Sequence, residues 1–398
     1  MLQLMLTLRA NGLRTVAVVC DGAGENRAYT RRVLKVKGTP AEWTPYYVPP
    51  GFGEDEIVVH LPDFCHIVKK LRNALLSSGF EEDCKRLLTM KAPEGSKHDD
   101  VYLSLRLNEA IWKETHGSTG LIANRSLSLD HFHKNGLTAM NVRKAAQIFS
   151  NTNARMIESR MSEGPIQYQN RQLESVDLKP MVSMYRTVNN FLDSMNSRVG
   201  DTGHYNRKIR LQDLTAADSP LRAIEECREF FDGWWKDIDS RAALDAAEKH
   251  RLFIPHDKCY FDLKQLCMGV MALCNHYLRL GLYAQGALLL KSFCQDVVEH
   301  HFCNTRARAG DGDPSYREAL RASCNAAMFR VMTDPKRRKS NSGTAPVAES
   351  QPLYRKDVRK ERRQQKAASA AAQHGTTAFS RAANRVRLPY SELISVDA

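Results

Sequence analysis

Thr15-Val-Ala-Val-Val-Cys-Asp-Gly-Ala-Gly-Glu-Asn-Arg27 is the stretch on which the fold turns. Its apolar run, Val16 to Cys20, is rich in valine and reads as a strand, spanning 14–20 with its polar start. Asp21 terminates the run, and Gly22-Ala-Gly24 supplies a small-residue turn. Residues 26–34 then read as a helix with a basic face formed by Arg27, Arg31 and Arg32. In α/β layers the carboxyl edge of the strands is where side chains are presented for chemistry, which makes Asp21 the first candidate site residue.

The same grammar recurs downstream. Residues 56–61, Glu-Ile-Val-Val-His-Leu, read as a second apolar strand closed by Pro62-Asp63. Residues 66–77 follow as an amphipathic helix with Ile67, Leu71, Ala74 and Leu75 on one side. Two strand–turn–helix units specify an α/β layer. Residues 1–12 read as the end of a helix and 40–53 as a Pro/Tyr/Gly-rich loop. After a polar linker over 91–100 the chain turns helical, with helices expected over 101–115, 137–160, 179–197, 220–236, 259–280, 285–306 and 316–331. Residues 200–219 read as a polar loop, and no internal repeat is evident.

The chain of 398 residues carries 58 Lys/Arg against 45 Asp/Glu, a net charge of +13. Residues 334–398 hold 14 of those basic residues and 6 of the acidic ones, so the tail explains most of the excess. Such a tail favours nucleic acid, and its few large apolar residues predict disorder. The ten cysteines include no Cys-x-x-Cys pair and read as reduced core residues of a cytosolic or nuclear protein. The apolar residues 1–8 are too short to span a bilayer, so no membrane association is expected.

Chemistry is concentrated in the predicted helix 285–306, which contains Gln295-Asp296-Val-Val-Glu299-His-His-Phe302. Asp296 and Glu299, three apart, project from one helical face. A helix carboxylate and a strand-end carboxylate can share Mg²⁺, which prefers oxygen ligands. Spacing alone better suits a pair of solvent-facing charges. Gly22-Ala-Gly24 lacks the further residues of a dinucleotide fingerprint or a P-loop and reads as a tight turn. His300, His301 and Cys303, near Cys294, lack zinc-site spacing. Trp234-Trp235 beside Phe230 and Phe231 reads as a packing face. Arg31, Arg32, Lys69, Lys70 and Arg72 suit either DNA phosphates or plain solvation.

Several of these segments, in this order, resemble P-element-type transposases, enzymes often fused to THAP-type zinc fingers. Val16 to Asn26 resembles the family's second catalytic-aspartate strand. Asp63-Phe-Cys-His66-Ile-Val-Lys69-Lys-Leu-Arg72-Asn73 is similar to the signature Asp-Pro-Pro-His-Leu-x-Lys-x-x-Arg-Asn, with Phe64 and Cys65 replacing the two prolines. Ser128-Leu-Asp-His131 with Met140-Asn-Val-Arg-Lys-Ala-Ala-Gln-Ile-Phe-Ser150 resembles the helical insertion domain. Phe191-Leu-Asp193-Ser-Met-Asn196-Ser197 is similar to the segment that closes it. Gln295-Asp-Val-Val-Glu-His-His-Phe matches Gln-Asp-x-x-Glu-Asn-x-Phe, with His300 in place of Asn, and residues 309–314 resemble the turn that follows. The resemblance runs from about residue 8 to about residue 331.

It implies an α/β plus all-α protein: an RNase H-like catalytic core, incomplete at its N-terminus, interrupted by a large helical insertion domain and followed by the disordered basic tail. The implied division is 1–100 and 221–332 for the two parts of the core, the latter including a helical segment, 101–220 for the GTP-binding-type insertion, and 333–398 for the tail. It implies a catalytic Asp-Asp-Glu triad binding Mg²⁺, with Asp21 as the second aspartate, Glu299 as the glutamate and Asp296 facing the GTP cofactor. The first aspartate is expected upstream of residue 1, so strand cleavage and transfer are expected to be weak or absent in this chain alone. DNA and GTP are the implied partners, with homo-oligomerisation and a nuclear location. The alternative is a domesticated or decayed, catalytically dead protein that binds DNA or another protein. If the sheet lacks its leading strands, the strand around Val18 is expected to be an open edge or to be covered by the first helix.

Overall fold

The computed structural model describes residues 1–35, 44–117, 124–133, 140–197, 203–281 and 287–295. Residues Met1–Asp296 form one compact unit, and all structure described below belongs to it. The decisive stretch folds as the sequence predicts, with α1 (Leu2–Ala10) leading into β1 (Ala17–Cys20) and α2 (Gly24–Val33). β2 (Tyr46–Tyr47) lies in the segment expected to be loop, and β3 (Val58–Pro62) is the second apolar strand. β3 is central: β1 pairs with it in parallel, Ala17 opposite Val59 and Cys20 opposite Pro62, while β2 pairs antiparallel on the other side. All five β3 residues are buried, whereas the four of β1 are half-buried.

α3 (Phe64–Leu76) starts directly off β3 and buries Ile67, Leu71, Ala74 and Leu75, the predicted stripe. α10 (Phe261–Arg279) lies on the Val59/Leu61 face. Its approach is close because Gly269 has no side chain: a Cβ there would fall 2.7 Å from Leu61 Cδ2 and 3.0 Å from Val59 Cγ1. Alternation along the strand sends His60 to the other face, where Tyr29 of α2 and Tyr47 of β2 flank its ring. Gln265 of α10 donates to the His60 carbonyl at 2.8 Å, tying helix to strand. Each fully buried leucine of α10, such as Leu266 or Leu273, contributes roughly 1.5–3 kcal/mol of burial.

The β1 edge that faces away from β3 has no partner strand among the described residues. The first helix engages the 47–56 segment, which joins β2 to β3. Arg9 pairs with Glu56 at 2.8 Å and stacks over Phe52, and Tyr47 donates to Met5 Sδ.

The helical stretch is more interrupted than its periodicity predicts. The expected linker 91–100 is bracketed by a hairpin, β4 (Thr89–Lys91) with β5 (Asp100–Tyr102), closed against the rest by Arg241 gripping Asp100 at 2.6 and 2.8 Å. α4 (Leu105–Gly117) follows. The single helix expected over 137–160 divides into α5 (Val142–Ile148) and α6 (Asn151–Met161), because Ser150 turns its hydroxyl to accept from Asn153 N and starts a new helix. A second hairpin, β6 (Ile166–Tyr168) and β7 (Arg171–Leu173), turns at Gln169 and Asn170, both with positive φ. α7 (Ser175–Met195) is the longest described helix, its Met184, Tyr185, Val188 and Phe191 wholly buried.

The loop expected over 200–219 contains a short strand, β8 (Ile209–Arg210). α8 (Pro220–Asp239) and α9 (Ala246–Leu252) follow, and a π-helical turn, His256–Tyr260, introduces α10. Trp234 and Phe231 do face the core, the indole donating to Thr89 O at 2.6 Å, whereas Trp235 is only partly buried. The helix expected over 285–306 is corrected for its first part: Ala287–Leu288 form β9, paired with β8, and Leu290–Ser292 form a 3₁₀ turn. A short apolar run does not distinguish strand from helix, and pairing partners 77 and 79 residues earlier decided it. Six of the eight described cysteines are buried. No helix among the described residues is long and apolar enough to cross a membrane.

Candidate functional site

β1 ends at Cys20 and delivers Asp21 to the first position of the turn. The Asp21 Oδ1 accepts from Ala23 N at 2.9 Å and from Asn26 Nδ2 at 2.7 Å, so the carboxylate organises its own turn into α2. No described residue hydrogen-bonds the other oxygen, and the side chain is half-buried. Partial burial on its own would push the Asp21 carboxyl up. The Ala23 and Asn26 hydrogen bonds, together with the fields of His66 and Lys70, outweigh that and hold it below the usual carboxylate range. Asp21 is therefore an ionised oxygen donor near neutral pH, with one oxygen left over.

Asp63 follows β3 as Asp21 follows β1, and its N–H donates to Cys20 O at 2.7 Å. Its carboxylate is only 2% exposed and fully used. It caps α3 by accepting from His66 N, lies 2.6 Å from His66 Nδ1, and accepts from Gln295 N at 3.4 Å. Asp63 is thus a cap rather than a spare metal ligand. Gln295 also donates through Nε2 to Val19 O at 3.3 Å. The first residue of the Gln-Asp-Val-Val-Glu segment is thereby seated on the carboxyl ends of β1 and β3. Asp296 and Glu299, together with His300, His301, Cys303 and the basic tail, lie outside the described residues.

A polar cluster lies behind the Asp21 turn. Asp262, in the first turn of α10, is wholly buried and takes Lys70 at 2.6 Å and Arg27 at 3.3 Å on Oδ2. Both cations also donate to the Gly22 carbonyl, Lys70 at 3.2 Å. Burial pushes the Asp262 carboxyl up, against the opposing pull of Lys70 and Arg27. Gly22 has φ +68°, and a Cβ on it would fall 2.5 Å from Asp262 Oδ2 and 2.7 Å from Lys70 Nζ. Only glycine meets both the backbone conformation and the close approach. Sequence reasoning missed Asp262 altogether. Its one signal was an acid in the first turn of an apolar helix, which also describes an ordinary helix start.

The basic residues proposed along DNA phosphates separate in the structure. Arg72 is fully buried and donates to the carbonyls of Asp130 and His131, and Lys69 is also buried. Lys70 belongs to the Asp262 cluster. Arg31 stacks over Phe261 at 4.4 Å and lies 3.7 Å from Asp257, whereas Arg32 is exposed. Phosphate contact thus remains open to Arg31 and Arg32 and is closed to Arg72 and Lys69. A groove of about 380 Å³ between α6, α7 and α8 carries Lys179 and Arg186 against Glu158 and Glu226. Glu158 pairs with Arg186 at 2.6 Å, so the charges balance and the groove does not fit a triphosphate.

For a divalent cation the donor type fits at Asp21, an ionised carboxylate at a strand end. Among the described residues no three metal-ligating side chains gather, so a complete ligand set needs residues beyond them.

No protein-family profile and no curated protein matches the chain. The fold is transposase-like. A solved structure to which it is similar is the Drosophila P element transposase strand transfer complex, at TM-score 0.59 and 18% sequence identity. The match covers 83% of this chain and 63% of that one, so the chain spans less than two thirds of the length of the structure it resembles.

Proposed function

We propose that this chain is a P-element-like transposase polypeptide whose chemistry, where it occurs, is metal-dependent DNA strand cleavage and transfer. The observation that carries the reading is the placement of Asp21: an ionised carboxylate at the end of β1, beside the strand ends on which Gln295 is seated. Gln295 opens the segment holding Asp296 and Glu299, and docking it there favours bringing Glu299 toward Asp21. Asp21 and Glu299 would hold Mg²⁺. When bound, the metal activates a hydroxyl nucleophile and stabilises the leaving 3′ oxygen of a phosphodiester. This chain's own part is to keep the Asp21 carboxylate ionised and oriented through Ala23 and Asn26, and to anchor the Gln295 segment through Val19 and Asp63. Exposed Arg32 and the basic tail would meet the DNA backbone. An RNase H-like core, a helical insertion, GTP contacted through Asp296 and a nuclear location complete the proposal on the strength of the resemblance.

The test is a DNA cleavage and strand-transfer assay with Mg²⁺ on the full chain, beside Asp21→Asn and Glu299→Gln. Activity lost in both variants supports the reading. Metal-independent activity, or activity indifferent to Asp21, removes it. DNA binding with no cleavage under any condition supports the alternative of a catalytically dead DNA-binding protein. For the nucleotide, GTP is expected to bind in preference to ATP and to weaken on Asp296→Asn, and equal binding of the two nucleotides would sink that part.

A further inference from the structure

We propose that Asp262 is a positioning residue for Asp21, drawing Lys70 and Arg27 away from the Asp21 carboxylate so that it stays free for a divalent cation. The inference rests on the reading of Asp21 as a metal ligand and adds to it a device built from three other parts of the chain.

Two cations stand beside a carboxylate that must bind a third. Lys70 and Arg27 both donate to the carbonyl of Gly22, the residue next to Asp21, and the field of Lys70 acts on the Asp21 carboxylate. Neither donates to that carboxylate in this structure, where Asp21 takes its hydrogen bonds from Ala23 and Asn26. Both cations converge instead on Oδ2 of Asp262, which is buried where water cannot compete. The Asp262 Oδ1 has no hydrogen-bond partner among the described residues, so this buried acid is held by the two cations alone. With Asp262 charged, the cluster presents one net positive charge behind Asp21. Without it there are two, and both cations lose the one carboxylate partner they have among the described residues, with Asp21 beside them. Gly22 lets the turn sit directly on the ion pair, since any side chain would displace Asp262 or Lys70.

A purely structural role predicts something different. If Asp262 serves only to join α10 to the turn, removing the charge of Lys70 as well cannot repair its loss. If it sequesters cations, removing Lys70 relieves the competition. The experiment is Mn²⁺ titration of the full chain, followed by the electron paramagnetic resonance of the free ion, for wild type, Asp21→Asn, Asp262→Asn and Asp262→Asn/Lys70→Met. The expected pattern is a loss of affinity in Asp21→Asn, a weakening of at least about tenfold in Asp262→Asn, and a return to within about threefold of wild type in the double variant. Should Asp262→Asn not fold, the double variant, which removes one charge of each sign, still tests the inference: wild-type affinity supports it, and affinity as low as that of Asp21→Asn overturns it. A double variant no better than Asp262→Asn, or an Asp262→Asn that binds like wild type, overturns the inference while the metal reading stands. Equal binding by wild type and Asp21→Asn overturns the metal reading itself.

Discussion

Acidification should destabilise the sheet beneath the candidate site through one residue, His60. Its ring is 1% exposed, lies between the rings of Tyr29 and Tyr47 at 5.6 and 5.5 Å, and has Nδ1 3.4 Å from Thr30 Oγ1. Nε2 has no hydrogen-bond partner, and no carboxylate pairs with the ring among the described residues. Burial therefore pushes its pKa from 6.5 down to about 4. The folded state holds the neutral ring, while the unfolded chain takes up a proton near pH 6.5. Stability from this residue is complete above the unfolded pKa and is lost as pH falls from 6.5 through about 4. A shift of that size corresponds to on the order of 3 kcal/mol. His60→Phe keeps an aromatic ring between the two tyrosines and removes the titration. Urea unfolding, followed by tryptophan fluorescence at pH 7, 5.5 and 4.5, should show wild type losing stability faster than the variant across this interval. Carboxylates titrate in both proteins and cancel in the difference. Parallel pH profiles would refute the reasoning. Because α2 runs from the Asp21 turn across His60, loosening there should also loosen the candidate site.

Gly269→Val drives a branched side chain into Leu61 and Val59 and should cost roughly 1–3 kcal/mol, read by thermal unfolding. Unchanged stability would mean that α10 does not approach β3 as closely as described. Gly22→Ala adds a positive-φ penalty of roughly 1–2 kcal/mol to the clash with Asp262 and Lys70. Gly22→Asn tolerates the φ and keeps the clash, so equal stability of the Asn variant and wild type would show that backbone conformation alone selects glycine. Removal of residues 334–398 should shrink the salt dependence of DNA affinity, since it removes 14 basic residues, and an unchanged slope would place the phosphate contacts in the body.

The strand–acid–turn around Asp21, the second strand with the helix after it, and the apolar stripe of α3 were legible because each rests on local periodicity and on residues a few positions apart. Legibility ended where two distant segments compete for one outcome. Ala287 and Leu288 carry no local mark that separates strand from helix, and their pairing with β8 decided between them. Ser150 interrupts what reads as one helix by offering its hydroxyl to the next turn. Lys69 and Arg72, surface charges by composition, are buried because α3 presents nearly its whole circumference to neighbouring elements.

The sequence by itself determined that an acid ends an apolar strand at Asp21, that Gln295, Asp296 and Glu299 form a second polar segment, and that the net charge is concentrated in residues 334–398. Local chemistry suffices for these, because strands, polar segments and charge runs are specified within a few residues. Only the tertiary structure decided that Asp63 is consumed as a cap, that Gln295 reaches Val19 across 276 positions, and that Asp262 collects cations from positions 192 and 235 residues away. Whether a carboxylate is available for chemistry depends on which cations its neighbours have already taken, and that is settled by packing in space.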